Sequence, residues 1–472
     1  MTIEDRSIIT SEHNLKNFKG GYMMKKATQF LTDKDHNMTK LEIFPAQMVS
    51  RANTLYISEK PTENFKGLGV AITGSSCYNI SLMEKDERKR LLKSVYSDEG
   101  LNLSIGRLSI GSSDYSAEHY SYDDVQFDVE LKHFSIERDT KYIIPIINEI
   151  LEIKPDLFLF ASPWSPPAWM KTGENLCGGY MREEYIECYA EYIIKYLKAY
   201  EENGIKISAL TPQNEPNTQQ AGNMPACIWH PEIEAKFIKI LRKRLDEEKL
   251  DVKIFMFDHN FADSARVLWQ LDNCSGVKNA CDGIAFHYYS GSIEETLKIK
   301  KAYPEKELHF TEAGPRLYDN YGTDWCKWGI MISKAIKCGY SSFTGWNLML
   351  NELGGPNIGP FLCGGLITRN NDTAELTFSG QYKAFSHIAP YINENSEIYP
   401  VCVGREYGSS MSSYPSEIRD IEGFCINNND GKYVIVLVNP NNTKSQVQFY
   451  LNDTWTYVEL TPESISTIIM EK

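Results

Sequence analysis

Between Gly67 and about Pro390 the chain alternates two patterns of apolar and polar positions. Short apolar runs that end in polar, Gly or Pro residues predict strands at Gly69–Thr73, Leu101–Leu108, Leu157–Ala161, Ile207–Leu210, Val252–Phe257, Gly283–His287, Leu308–Glu312 and Ser342–Trp346. Longer segments with apolar residues every three or four positions predict helices, among them Lys141–Ile153, Tyr185–Tyr200, Glu232–Leu250, Ser264–Leu271 and Trp325–Lys337. Strands alternating with helices in this way predict an α/β protein, a closed parallel (β/α)8 TIM barrel. Any chemistry should then gather at the C-terminal strand ends.

The two ends of the chain follow another pattern. Residues 1 to about 40 are polar and weakly patterned, with strand character at Gln29–Thr32, and Thr54–Ser58 reads as a strand. After about Ser396 strands predominate, at Phe424–Asn427, Lys432–Val438, Gln446–Leu451, Thr456–Leu460 and Ser466–Met470. They are separated by the turn signals Asn429-Asp430-Gly431 and Asn439-Pro440-Asn441-Asn442. The expected organisation is an antiparallel β-sandwich built from segments 1–62 and 393–472, attached to a barrel over 63–392.

The strand ends carry the candidate chemistry. Ile207–Pro216, read ISALTPQNEP, delivers Gln213, Asn214 and Glu215 at the end of an apolar strand. Pro216 biases Glu215 toward extended backbone, so Glu215 is expected to stand at the strand end rather than open a helix. Glu307–Gly314, read ELHFTEAG, places Glu312 where a second strand stops. A lone Glu in a loop is ordinarily a solvated turn residue. Two on matching strand ends suit glycoside hydrolysis, which needs one carboxyl to protonate a leaving oxygen and another to attack or to activate water. The other ends offer Arg107 and Asp114, Trp164, Asp258 and His259, His287 and Tyr289, and Trp346 and Asn347. Asp258 and His259 read equally well as turn or capping residues, and Trp164 and Trp346 also as core.

Composition narrows the partners. With 49 basic and 63 acidic residues among 472, the net charge of −14 disfavours nucleic acid and anionic membrane surfaces and suits a neutral substrate. Aromatic residues make up 12% of the chain, enough to stack on sugar faces as well as to fill a core. No run is long enough for a membrane span, and the first residues lack the basic and apolar regions of a secretory signal, so a cytoplasmic protein is expected. The 11 cysteines show no zinc-site spacing and are expected to be reduced, and no metal or organic cofactor is implied. Oligomeric state is not legible.

The stretches LLKSVYSDEGLNLSIGRLSIGSSDYS, FASPWSPPAWMKT, ALTPQNEP, GIAFHYY, LHFTEAG and GWNLMLNELGGPN, in this order, resemble glycoside hydrolase family 30, most nearly its glucosylceramidase branch, from about Leu55 to Met470. The resemblance implies a (β/α)8 barrel with an attached β-sandwich and retaining hydrolysis of β-glycosides. By that resemblance Glu215 is similar to the general acid/base and Glu312 to the nucleophile. Asn214 resembles the residue that meets the sugar 2-hydroxyl, and Arg107 a cation that keeps the nucleophile ionised. Asp114, Trp164 and Trp346 resemble residues lining the sugar subsite, and His287 and Tyr289 those around the two acids. One departure is Thr73-Gly74, where the family commonly has Thr-Asp, so a carboxylate that would support the pocket is expected to be missing.

The chemistry so implied requires two carboxyls roughly 5 Å apart for retention, against about 9 Å for inversion. Proximity to an ionised Glu312 is expected to raise the Glu215 carboxyl. The expected activity is exo-acting β-glucosidase or glucosylceramidase-like, with β-xylosidase or endo-β-1,6-glucanase as alternatives. A non-catalytic sugar-binding barrel would have no need of both acids. A phosphate-substrate barrel enzyme would want a basic glycine-rich loop, and Gly354–Asn357 has the glycines without basic company.

Overall fold

The computed structural model describes residues 27–43, 52–62, 65–219, 223–403 and 421–472. Eight parallel strands close into a barrel: β1 (Leu68–Ala71), β2 (Ile105–Ile110), β3 (Phe158–Pro163), β4 (Ala209–Leu210), β5 (Lys253–Asn260), β6 (Gly283–His287), β7 (Glu307–Glu312) and β8 (Tyr340–Gly345). Each expected strand is present, displaced by a few residues at most. The second begins at Ile105 rather than Leu101, because Leu101 and Leu103 are buried in the connection that precedes it. The fourth is shorter, Ala209–Leu210, losing Ile207 and Ser208 at its start, and it stops at Leu210 as expected, two positions before Pro212, which has no N–H for the ladder.

The helices follow their apolar stripes. Trp325–Lys337 forms as expected, Tyr185–Tyr200 becomes Ile186–Glu202, and Glu232–Leu250 becomes Pro231–Glu247 with Pro at its first turn. The expected helix 141–153 is divided: a 3-10 turn, Glu137–Lys141, comes first, and the α-helix proper is Ile143–Ile153, burying Ile144, Ile146, Ile147 and Ile150.

Inside the barrel, Ile105, Phe160, Ala209, Phe255 and Ala285 fill one layer. At the N-terminal end Lys66 and Lys253 pair with Glu307, 2.9 and 3.1 Å away, and His309 stacks on Phe255 with ring centres 3.7 Å apart. That end is filled by these side chains, and the cavity that holds the candidate residues lies beyond the C-terminal strand ends.

The chain ends form one nine-stranded, mostly antiparallel sheet. Ala27–Thr32 pairs with both Thr39–Ile43 and Ser464–Glu471, and Asn53–Ile57 lies between Glu397–Val403 and Ser445–Leu451. The sheet folds back on itself: Leu55, Val447, Phe449, Val458 and Leu460 from one half pack against Cys425, Ile435, Leu437, Ile468 and Met470 from the other. Its remaining apolar face, with Phe424, Val436, Val438 and Ile465, joins the barrel core through the helix Trp325–Lys337. His387 bridges the two units by bonding Thr32 at 2.8 Å and Thr467 at 2.9 Å.

The helix lies close against the sheet at Gly329, where a Cβ would lie 2.8 Å from Val438 Cγ2 and 3.1 Å from Ile465 Cδ1. Gly329→Val therefore overfills this seam and is expected to destabilise the protein by about 1–3 kcal/mol. The check is the thermal unfolding midpoint beside the wild type; an unchanged midpoint would mean that the two units do not depend on this contact.

Candidate active site

Two irregularities in the barrel place the polar groups. Outward-facing residues such as Leu308 and Phe310 join the helix-facing core, so strict alternation would send Glu312 outward with them. It does not, because the register between β7 and β6 slips by one: Phe310 pairs with Phe286, Glu312 pairs with His287, and Thr311 is the extra residue. On the other side of β6 the same thing happens, with Phe257 opposite Ala285, His259 opposite Phe286, and Asp258 left over. The two extra residues meet, Thr311 Oγ1 donating to Asp258 Oδ1 at 2.7 Å. Bulges of this kind re-aim side chains next to functional sites.

The backbone is strained where it is re-aimed. Phe257 and Asp258 have φ of 77° and 78°, and Glu215 has φ of 51°. The extended conformation expected for Glu215 before Pro216 is thus not adopted. Its N–H bonds to Asp258 O at 3.0 Å instead, tying the end of β4 to the bulge of β5. A non-Gly residue held at positive φ costs roughly 1–2 kcal/mol, which the surrounding contacts must offset.

Asp258 is the hub. Its Oδ2 accepts from Arg107 Nη2 at 2.9 Å and lies 2.9 and 2.8 Å from the Ser162 and Thr211 hydroxyls, and its Oδ1 is 2.9 Å from His287 Nε2. Burial pushes this carboxyl up, but Arg107 and His287 overcome that and hold it far below the ordinary range. Arg107 is fully buried; it donates to Glu312 Oε2 and, at 2.8 Å, to Asn214 Oδ1, with its guanidinium 4.9 Å from the centre of the Trp164 ring. Arg107 therefore takes the carbonyl end of the Asn214 amide and leaves its NH2 end for another partner. Tyr289 Oη donates to Glu312 Oε1 at 2.8 Å, so both nucleophile-candidate oxygens have a donor.

Glu215 Oε1 is 3.1 Å from His287 Nδ1 and 3.3 Å from His259 Nε2. Burial raises the Glu215 carboxyl, yet His259 and then His287 outweigh burial and bring it below the usual carboxylate range. The expected rise from Glu312 is overturned in the free site because two imidazoles stand closer. For His287, burial lowers the basicity, and Glu312 and Asp258 more than reverse it, to about 9. His287 is thus an imidazolium at neutral pH, with one N–H toward Glu215 and the other toward Asp258.

Oxygens of Glu215 and Glu312 and a nitrogen of His287 lie within 4.8 Å of one another. Such a trio could hold a metal ion only with a deprotonated imidazole, and here both ring nitrogens already face carboxylates.

The cavity above these groups measures about 400 Å³. Of the nine residues expected at the site, Asp114, Trp164, Asn214, Glu215, Tyr289, Glu312 and Trp346 line it. Arg107 and His287 have no exposed side-chain surface and lie behind the lining, so they act through the residues they hold and not by binding substrate directly. Trp164 and Trp346 stack on each other with ring centres 5.3 Å apart. Among the described residues Asp114 Oδ1 is buried without a hydrogen-bond partner, and burial, followed by Glu312 and Glu215, pushes that carboxyl well above its usual range.

Several lining residues carried no signal in the sequence. Phe361, Leu362 and Cys363 close one wall, and the Tyr115 hydroxyl pins them by donating to Phe361 O and accepting from Cys363 N, each at 2.9 Å. Arg316 and Tyr318 stand in the loop after β7. Asp258 and His259, open between turn and site, belong to the site. Asn347 does not reach the cavity; its Oδ1 accepts from Thr73 at 2.8 Å. Gly74 is not in the cavity lining; a Cβ there would meet Ser116 Oγ at 3.4 Å, and Ile143 Cδ1 and Tyr115 O each at 3.6 Å, so it would abut the residue that pins the wall.

Two carboxyls this close, at the C-terminal mouth of a parallel barrel and beside stacked indoles, define a glycosidase site. The chain belongs to glycosyl hydrolase family 30, whose TIM-barrel domain matches residues 65–390. It is 29% identical to the lysosomal acid glucosylceramidase of Mus musculus over 406 residues, covering 81% of this chain and 76% of that one. It is 26% identical to an endo-1,6-β-D-glucanase of Neurospora crassa over 404 residues, 82% of this chain and 81% of the other. A solved endo-β1,6-glucanase superposes with a TM-score of 0.80 at 27% identity, over 94% of this chain and 100% of its own.

Two outcomes follow from the charge array. Asp258→Ala leaves Arg107 and His287 buried without their shared counter-charge, and is expected to cost about 3–5 kcal/mol in denaturant unfolding. A loss under 1 kcal/mol would show that the array is not held by Asp258. The pH profile of kcat/KM is expected to fall as pH rises through about 9, where His287 loses its proton; Tyr289, raised well above the tyrosine range by burial and then Glu312, does not titrate there. The stabilisation that His287 contributes has the same sign: it is complete below the ordinary value of 6.5 and lost as pH passes about 9.

Proposed function

We propose that this chain is a retaining, exo-acting β-glucosidase in which Glu312 is the nucleophile and Glu215 the general acid/base. The observation that carries the reading is the separation of the two carboxyls, 4.8 Å or less between the oxygens that face each other, which suits direct attack and leaves no room for the water an inverting enzyme places between them. Arg107 and Tyr289 aim the two oxygens of Glu312, and one of them attacks C1 as the glycosidic bond breaks.

The departing oxygen takes its proton from Glu215. Because Glu215 Oε1 and His287 Nδ1 are 3.1 Å apart, this acid and imidazolium share the proton that the step consumes. After the glycosyl ester forms, Glu215 is a carboxylate and serves as base for the water that cleaves it. The free NH2 of Asn214 suits the sugar 2-hydroxyl, and the unpartnered Asp114 Oδ1 suits a hydroxyl on the far side of the ring.

What supports exo action is the lining: the buried indoles of Trp164 and Trp346 and the segment 361–363 all face one cavity of about 400 Å³, a size that suits a terminal sugar. A second reading, endo-β-1,6-glucanase, is favoured by the aromatic rim, where Tyr318 is 68% and Phe361 45% exposed and both could stack on further sugar units.

Initial rates on aryl β-D-glucoside, xyloside, galactoside and fucoside, beside β-1,6-glucan, test these readings. Glucoside turnover is expected, lost by about four orders of magnitude or more in Glu312→Ala; a near-normal rate in that variant would remove the nucleophile assignment. Glu215→Ala should spare substrates with good leaving groups more than poor ones, and equal losses would speak against Glu215 as the acid. Activity on the glucan with silence on every aryl glycoside would move the reading to endo action.

A further inference from the structure

We propose that Arg316 makes the outer part of this pocket a subsite for an oxyanion, a carboxylate or a phosphate, carried by the leaving group of the substrate. The inference rests on the glycosidase reading above and adds a class of aglycone to it.

Position comes first. Arg316 lies four residues beyond Glu312 in the loop after β7 and lines the cavity. The buried end of that cavity is the sugar end, with Trp164 and Trp346 only 1% and 2% exposed, and its outer end is marked by Tyr318. Arg316 lines the same cavity and is intermediate in exposure between these two ends, which suits contact with the group attached to the scissile oxygen. Its backbone is fixed, since Arg316 forms an antiparallel bridge with Cys363 and Gly364 N–H bonds to Pro315 O at 2.8 Å.

Charge comes second. Glu312 has Arg107 beside it, Glu215 has His287, and Asp258 behind them has both cations. Asp114, the other carboxyl of the lining, has no cation beside it among the described residues and is pushed well above its usual range by burial and then by Glu312 and Glu215. Arg316, among the described residues, pairs with no carboxylate. Its Nη1 donates to the Tyr318 hydroxyl at 2.8 Å, and the guanidinium lies 5.9 Å from the centre of that ring. The other groups nearest it, Tyr289 and Cys363, stay neutral because burial raises both. The rest of the planar fork makes no hydrogen bond among the described residues and is open to the bidentate contact that carboxylate and phosphate accept. The chain as a whole carries −14, so anions are not drawn to it generally, and a preference for one reports this subsite.

The test compares kcat/KM for 4-carboxyphenyl β-D-glucoside with its neutral 4-carbamoylphenyl analogue, and a phosphonate-bearing aryl glucoside with its neutral dimethyl ester. The anionic member of one pair is expected to be favoured about tenfold, the scale of a charge-assisted contact. That ratio should fall to about one in Arg316→Gln, persist in part in Arg316→Lys, and shrink as sodium chloride is raised. Which pair shows it distinguishes carboxylate from phosphate. A wild-type ratio of one or less in both pairs, or a ratio unchanged in Arg316→Gln, overturns the proposal. Equal cleavage of anionic and neutral members contradicts this subsite alone, whereas an inert wild type on all four contradicts the β-glucosidase reading beneath it.

Discussion

The buried contact between Asp258 and the pair Arg107 and His287 is the constraint on which the site depends. Removing these charges from water is unfavourable, and it is offset because the Asp258 carboxylate meets both cations and is approached by three hydroxyls within 2.9 Å, while Glu312 and Glu215 meet the cations from the other side. From this centre the rest is placed. Arg107 carries Glu312 and Asn214, His287 carries Glu215, and the two carboxyls arrive at their working separation without touching each other.

The backbone is shaped to serve that contact. Regular strands would put Asp258 and Thr311 in register with β6 and turn Glu312 toward the helices. One extra residue on each side of β6 instead makes Asp258 and Thr311 partners and levels Glu312 with His287. The positive φ at Phe257, Asp258 and Glu215 is the local strain of this arrangement. It persists because the closed, packed barrel below leaves the strand ends little freedom to relax.

Much of this was legible in the chain. Eight apolar runs separated by helical stripes specify the barrel, and polar residues at the ends of those runs mark the mouth, which is why Glu215, Glu312, Asp114, Trp164, Asn214, Tyr289 and Trp346 were found together. The two bulges were not legible, because a period-two pattern through Leu308, Phe310 and Glu312 carries no sign that the register slips between the last two. The fall in the Glu215 carboxyl was hidden for a related reason: His259 reads equally well as a turn residue and as a site residue until its strand is seen beside β6. The wall at residues 361–363 and Arg316 lie in loops, where no periodicity constrains which side chain turns inward.

The central claim is that Glu312 and Glu215 act across one glycosidic bond by double displacement. The most direct measurement is proton NMR of the anomeric signals during hydrolysis of an aryl β-glycoside at high enzyme concentration, before mutarotation. The account predicts that the β-anomer of the free sugar appears first and the α-anomer only later. First appearance of the α-anomer would contradict it, because inversion requires a water between two carboxyls that this structure holds too close to admit one.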